Sequence, residues 1–541
     1  MSRRLALAVV AACLLLFAWN TWGYDLWTPD EPYFAEGARE MIVDGHWAVP
    51  HVNGVVTTDK PPLFFWLIAL LSLPFGHVSS LTARLPSVLA SAASIALTMR
   101  LGRRMGGERL ALLAAAILAT TVLFWEKSRT SQIDALLSLL VLVAVSAFEA
   151  FRAGDLDGRR AGLLFWAAAG LAVLAKGPVG LLLPLGVALV TLAWDRRLRE
   201  WRGFAPLLGP LAFVAVLAPW LLWAGVGHAD EYSLFGAFQS HVVSRAVHGM
   251  HHAQPPYYFL GTLPMHLLPW TLLLPGALVL AWRARARPAD RLLLVFGGFI
   301  FVFFTAFTEK RGQYLLPAFP AYALLFARLV DEVARPAPGR HVSPRWVTVP
   351  QYVIAFALAL AAVVGPGLAW MEHPLLFPRS VLVGVLALCG AVAIVFATLR
   401  RGPLGAAAAT AVSFAAVYLA VATLLLPALD PVKSFREMSQ GIARFTETAR
   451  RDGARVLAFR LGNLPEAFAL YSDGMYVDET ASPKKLRAHL ANPPGLAVLQ
   501  RQDYEELPDE VRSATSILAR WSTHDTTVVL IGAAGAPGPG S

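Results

Sequence analysis

The chain has 541 residues, 56% of them hydrophobic and only 15% charged, with a mean hydropathy of +0.55 and a formal net charge of +10. A soluble domain carries about a quarter charged residues, so an ordinary soluble protein is excluded and a polytopic membrane protein is expected. The basic surplus is then a property of cytoplasmic loops rather than a sign of nucleic-acid binding. Cys13 and Cys389 both lie in apolar runs, which leaves no disulfide framework and no cysteine metal site.

The N-terminus, MSRRLALAVVAACLLLFAWNTW, pairs two arginines with an apolar run and shows no convincing small-x-small cleavage site before the polar segment. It is read as an uncleaved first span rather than a secretory signal. Next comes YDLWTPDEPYFAEGAREMIVDGHWAVP, residues 24–50, a mixture of carboxylates and aromatics that a plain connector does not need. Asp30 and Glu31 stand between Pro29 and Pro32, two adjacent carboxylates on a stiff, proline-flanked turn. Glu36, Arg39 and Glu40 have the spacing of surface pairs on a short helix. The run PPLFFWLIALLSLPF, residues 61–75, is short and proline-bounded, and is expected to lie at the interface or re-enter.

Thirteen stretches approach the roughly twenty residues of a span. They lie near 5–22, 80–100, 108–125, 132–151, 160–175, 178–194, 205–225, 259–281, 292–308, 313–330, 348–370, 377–399 and 405–426. With the N-terminus inside, the arginine-rich connections RLGRRMGGER, RAGDLDGRR, DRRLREWR, RARARPADR and RRGP all fall inside, as the positive-inside rule requires. Residues beyond Pro427 then lie outside. There the composition becomes ordinary, with strand-like runs (RVLAFRL, MYVDE, LAVLQ, TTVVLIG) between helical stretches (SFREMSQGIARFTETARR, SPKKLRAHLA), as in a small α/β domain. The expected divisions are 1–427, a transmembrane domain whose first outer loop is 23–79 with interfacial helices; 428–532, the outer α/β domain; and 533–541, a disordered tail.

Every long outer connection carries unusual polar residues. These are Asp59 and Lys60 in TTDKPPL, Glu126, Lys127, Arg129 and Asp134 around 126–134, Lys176 in LAKGPVG, His241, Arg245, His248, His251 and His252 in 226–258, and EKRGQY with Lys310, Arg311 and Tyr314. Positive charge is scarce on this side of most membrane proteins. Outward basic residues at membrane level suit a lipid phosphate, and acidic ones suit proton transfer from an acceptor.

The stretch LWTPDEPYFAEGAREMIVDGHWAVPHVNGVVTTDKPPL resembles the first outer loop of the bacterial aminoarabinose transferase and protein O-mannosyltransferase families. Asp134 in SQIDALL, Lys176 in LAKGP, Pro219–Trp220, PPYYFL and KRGQYLLPAFP continue the match. The resemblance implies an all-α polytopic membrane protein of the GT-C fold with about thirteen transmembrane helices and a small outer α/β domain. It implies an inverting glycosyltransferase that moves a sugar from a polyprenyl (undecaprenyl) phosphate to lipid A, an envelope glycan or a protein. Asp30, with Glu31 beside it, matches the catalytic carboxylate. Lys60, Tyr314, Arg245 and Lys310 match donor-phosphate contacts. Asp59, Asp134, Lys176, Tyr33 and His241 match cavity positions. Tyr33 stands where the aminoarabinose transferases commonly have Arg. The family implies a bacterial inner membrane with a periplasmic active site, membrane-lipid partners and no nucleic acid. GT-C enzymes differ in using a divalent metal; Asp30, Asp59 and the loop histidines are the residues that would hold one, and no cofactor follows from the sequence. The rival readings are a flippase of a lipid-linked sugar, which should place ionisable residues near the bilayer midplane, and a non-catalytic envelope scaffold.

Overall fold

A computed structural model describes residues 3–227, 253–336, 342–451, 455–462, 464–472, 474–492, 495–523 and 526–534. The chain divides into two compact units. One comprises Met1–Thr21, Thr58–Phe64 and Arg84–Leu425, the other Trp22–Thr57, Phe65–Ala83 and Leu426–Ser541.

The first unit is a bundle of apolar helices. Among the described residues eight helices are long and apolar enough to cross a bilayer, nine if the bent pair Tyr258–His266 and Thr271–Arg283 is one span. The expected thirteen stretches exceed that number for physical reasons. Helices α1 (Arg3–Ala18) and Val179–Trp194 have 16 residues each, short of a full span. Two longer helices, Ser80–Ala119 and Phe377–Ala420, each hold two expected stretches. They break at Gly107 (φ 85°) and Gly402 (φ 65°), values that cost a side-chain-bearing residue strain.

Burial sorts the helices. Of the apolar window in Gly312–Ala334, 89% is buried, against 17% in Arg345–Glu372, so the former is central and the latter faces lipid. The C-terminal end of α1 leaves carbonyls that helix geometry does not satisfy. Arg84, wholly buried, donates to the Thr21 carbonyl at 2.7 Å, and Arg129 donates to that of Trp19 at 2.8 Å. Arg129 also sits 4.9 Å over the Trp125 ring. These two buried arginines therefore anchor the chain where it leaves α1.

The second unit is built on a five-stranded sheet in the order β4-β3-β5-β7-β6: β3 Val456–Phe459, β4 Val477–Thr480, β5 Leu496–Gln500, β6 Thr515–Ser522 and β7 Thr527–Ala533. Strand β3 runs parallel to β4 and β5, while β7 is antiparallel to β5 and β6. Leu457, Leu486, Leu499 and Val529 belong to its buried core. The four expected strand-like runs supply β3, β4, β5 and β7.

Residues 22–57 fold into this same unit, a grouping that differs from the expected assignment of 23–79 to the transmembrane part. Helix α2 (Asp30–Val43) is followed by the two-residue strands β1 (His51–Val52) and β2 (Val55–Val56). Their turn is Asn53-Gly54, with φ of 59° and 71°, the pairing that tight hairpins favour. The Asn53 amide donates to the Val477 carbonyl at 2.9 Å and accepts from the Val477 N–H at 3.0 Å, extending the β4 backbone contacts into the loop. Tyr471 donates to the Leu26 carbonyl at 2.9 Å and accepts from its N–H at 2.8 Å.

Glu466, on helix Leu464–Tyr471, is pushed up to about 7 by burial, with the charges of Glu479 and Glu36 adding to it. An acid raised on folding binds more protons folded than unfolded, so its stabilisation is present below pH 4.5 and is lost as pH rises through about 7. Stability of this unit therefore falls by up to about 3 kcal/mol over that interval. Glu466→Gln flattens the dependence, as thermal unfolding from pH 4.5 to 8 will read; equal slopes in both proteins would refute it.

Candidate functional site

The expected site residues divide between the two units, and each group is described within its own. In the first unit, Asp134 lies in the first turn of helix Ile133–Arg152 and is 4% exposed. Lys176 is the last residue of helix Gly158–Lys176, followed by Gly177 (φ 78°) and Pro178, which end the helix. An acid at a helix N-terminus and a base at a helix C-terminus both suit the backbone dipoles. The Lys176 ammonium makes an ion pair with the Asp134 carboxylate and lies 4.6 Å from the centroid of the Tyr314 ring. Tyr314 is held in the 3-10 turn Gly312–Ala318, its ring against Phe304. Three residues far apart in sequence thus form one cluster: a cation fixed by a carboxylate and an aromatic face.

Lys60 and Asp59 form a second, more open pair, Nζ to Oδ2 at 2.5 Å, with side chains 20% and 32% exposed. Lys310, matched to a donor-phosphate contact, is held on backbone carbonyls in this structure. It is 3% exposed, and its ammonium donates to the carbonyls of Gln254, at 3.1 Å, and Phe307. It ties the 309–312 turn to the segment at Gln254. Arg245 and His241 lie outside the described residues, as do His248, His251 and His252.

In the second unit, Asp30 and Glu31 form the first turn of α2 rather than an isolated proline-flanked turn. Their environments differ. Glu31 is 5% exposed, and its Oε2 accepts from the Trp27 N–H at 3.1 Å, tying the incoming chain to the helix. Asp30 is half-buried. The hydroxyls of Tyr33 and Thr57 are 2.7 Å apart, and the Tyr33 ring packs against Phe34 and Phe65. Asp430 accepts from the Trp27 indole at 2.8 Å and from the Asp25 N–H at 3.1 Å, while Arg436 pairs with Asp25 at 2.7 Å. Sequence reading did not find these supports of the Asp30 turn, because their partners are some 400 residues apart and no local spacing marks them.

The spacing of Glu36, Arg39 and Glu40 suggested surface pairs, yet both glutamates are fully buried. Arg39 donates to both Glu36 oxygens at 2.8 Å. Burial pushes the Glu36 and Glu40 acids up, Glu40 to about 8 with the Glu36 charge adding to it.

The profile of the family described as dolichyl-phosphate-mannose-protein mannosyltransferase matches residues 59–223. An undecaprenyl phosphate-alpha-4-amino-4-deoxy-L-arabinose arabinosyl transferase of Pseudomonas paraeruginosa is 33% identical over 321 residues, 58% of this chain and 57% of that protein. The aligned part thus spans little more than half of that relative. One of the same description from Pectobacterium carotovorum is 32% identical over 407 residues, 73% of this chain and 70% of that one. Among solved structures, ArnT from Cupriavidus metallidurans bound to undecaprenyl phosphate superposes with a TM-score of 0.80 over 98% of both chains at 21% identity. The fold is therefore GT-C: a multi-pass helical membrane protein with a small C-terminal sheet domain.

Proposed function

The chain belongs to the family of undecaprenyl phosphate-alpha-4-amino-4-deoxy-L-arabinose arabinosyl transferases, and on that premise we propose that it moves 4-amino-4-deoxy-L-arabinose from undecaprenyl phosphate to lipid A. The reaction takes place on the periplasmic face of the bacterial inner membrane. The observation that carries the reading is a relative of that description aligned over 70% of its length. The Asp134–Lys176–Tyr314 cluster supports it, as a fixed cation beside an aromatic face.

The chemistry is a single displacement. The acceptor oxygen attacks the anomeric carbon, and the bond from that carbon to the phosphate oxygen breaks. Asp30 takes the acceptor proton. Glu31 beside it accepts from the Trp27 N–H and holds the turn. Undecaprenyl phosphate leaves with both bonding electrons, and cations placed beforehand neutralise that charge without reorganising. Lys60 contributes directly as a point charge, with Asp59 orienting it. Lys176 is fixed by Asp134 and Tyr314. One displacement inverts the anomeric centre. Two charged pairs at the ends of helices and loops suit surface chemistry better than a midplane transport path.

The test uses the purified full chain in proteoliposomes with undecaprenyl-phosphate aminoarabinose and lipid A. The expected result is lipid A heavier by one aminoarabinose, equimolar undecaprenyl phosphate, and an anomeric configuration opposite to the donor's by NMR. Donor binding without any product would overturn the transferase reading, and retained configuration would overturn the single displacement.

A further inference from the structure

We propose that the C-terminal end of α2 and the turn after it form a Zn2+ site, with Glu40, Asp44 and His46 as ligands. Glu40 is a carboxylate with no exposed surface. Its Oε1 accepts from the Gly54 N–H at 3.0 Å, and its Oε2 is buried with no hydrogen-bond partner. A buried carboxylate oxygen left so is costly, and this one faces the His46 Nδ1, 3.8 Å away. Asp44, the residue that caps α2, brings a second carboxylate. One donor atom from each of the three lies within 4.8 Å of the others. Gly45, at φ 78°, makes the reversal that sets Asp44 and His46 on either side of the helix end. The His46 ring stacks on that of His51 with centroids 3.7 Å apart, which fixes its plane.

Charge points the same way. Glu36, Glu40 and Asp44 face a single guanidinium, Arg39, which chelates Glu36 and lies 3.9 Å from Asp44. Tyr476 donates to Asp44 at 2.5 Å but brings no charge. With all three carboxylates ionised, as metal ligation requires of Glu40 and Asp44, the surplus is two, and a divalent cation offsets it. One imidazole nitrogen and two carboxylate oxygens suit Zn2+. With bonds near 2.0–2.2 Å, tetrahedral neighbours stand about 3.3 Å apart, so the site closes by roughly half an ångström between Glu40 and His46, and water takes the fourth position. This is not the site expected from Asp30, Asp59 and the loop histidines. The ion would clamp the 44–46 turn onto the helix that begins with Asp30.

The test uses the full chain, untagged and purified in detergent, stripped by chelator and dialysed against micromolar Zn2+. Metal content is measured by mass spectrometry, and Co2+ serves as a visible-absorption probe. Other histidines bind zinc, so the readout is a difference. The wild type should hold one more Zn2+ per chain than Asp44→Asn or His46→Ala, or bind that ion at least tenfold more tightly. The Co2+ absorption should fall in His46→Ala. Both residues reach the surface, so both variants fold, which an unchanged size-exclusion profile checks. Equal zinc content and equal Co2+ spectra in all three proteins would overturn the proposal and leave Glu40 as a protonated buried acid. The readout is metal binding, so the result stands apart from the transferase reading.

Discussion

Asp30→Asn lowers kcat for sugar transfer by about 10²–10⁴-fold, the range a positioned general base contributes, equivalent to roughly 3–5 kcal/mol of barrier. The substitution is nearly isosteric and removes only the capacity to take a proton. Asp30 is half-buried and sits in the first turn of α2, where asparagine loses only the small attraction of a negative charge to the helix dipole, about 0.3–1 kcal/mol. Thermal unfolding and KM for the undecaprenyl-phosphate donor should therefore change little. Glu31→Gln is the internal control. The Gln carbonyl oxygen still accepts from the Trp27 N–H, so the turn persists and activity falls far less. Steady-state kinetics of both variants in the same proteoliposomes decide the matter. An Asp30→Asn enzyme within a few-fold of wild type, or a Glu31→Gln enzyme as impaired as Asp30→Asn, would remove Asp30 from the chemistry.

The contrast between these neighbours shows where sequence reading stops. Membrane class, helical content and the small sheet domain are legible because hydropathy and periodicity are local properties. The Asn53-Gly54 hairpin is legible in principle for the same reason: two residues dictate two backbone angles. Strand β6 is missed because its residues are only partly buried and give no clean alternation. The thirteen stretches exceed the eight or nine long apolar helices among the described residues because two long helices each hold two stretches across a glycine break, and because α1 and Val179–Trp194 are short. Side-chain roles are the least legible. Lys310 and Arg129 look like ligands for phosphate, yet both meet backbone carbonyls. Glu36 and Glu40 look like surface pairs, yet they are buried, because 22–57 folds into the unit of the C-terminal sheet. Resemblance to a family supplies the residues that spacing alone does not, and the Asp134–Lys176–Tyr314 cluster joins three of its matched positions.

Lys60→Ala lowers kcat/KM for the donor by about 10²–10³-fold, the size of loss when one preorganised group facing a developing anion is removed. Lys60 is the better probe of the leaving-group charge than Lys176. Removing Lys176 strands the Asp134 carboxylate, which is 4% exposed, and a buried pair broken on one side costs about 3–5 kcal/mol of stability. Any loss of activity there would be confounded with folding. The Lys60–Asp59 pair is partly exposed, and such pairs contribute only about 0–1 kcal/mol, so Lys60→Ala leaves thermal unfolding almost unchanged. The charge still counts in the reaction, because it meets a phosphate that must carry more negative charge in the transition state than in the donor. Part of the loss should appear in kcat for that reason. The part in KM should shrink between low and high salt, since a partly exposed contact is screened. Lys60→Arg restores a cation with a different reach and geometry and should recover part of the rate, whereas Lys60→Met, of similar length without charge, should recover none. Donor kinetics at two ionic strengths across these variants separate charge from shape. If Lys60→Met matched Lys60→Arg, the residue would be packing against the donor rather than neutralising its phosphate.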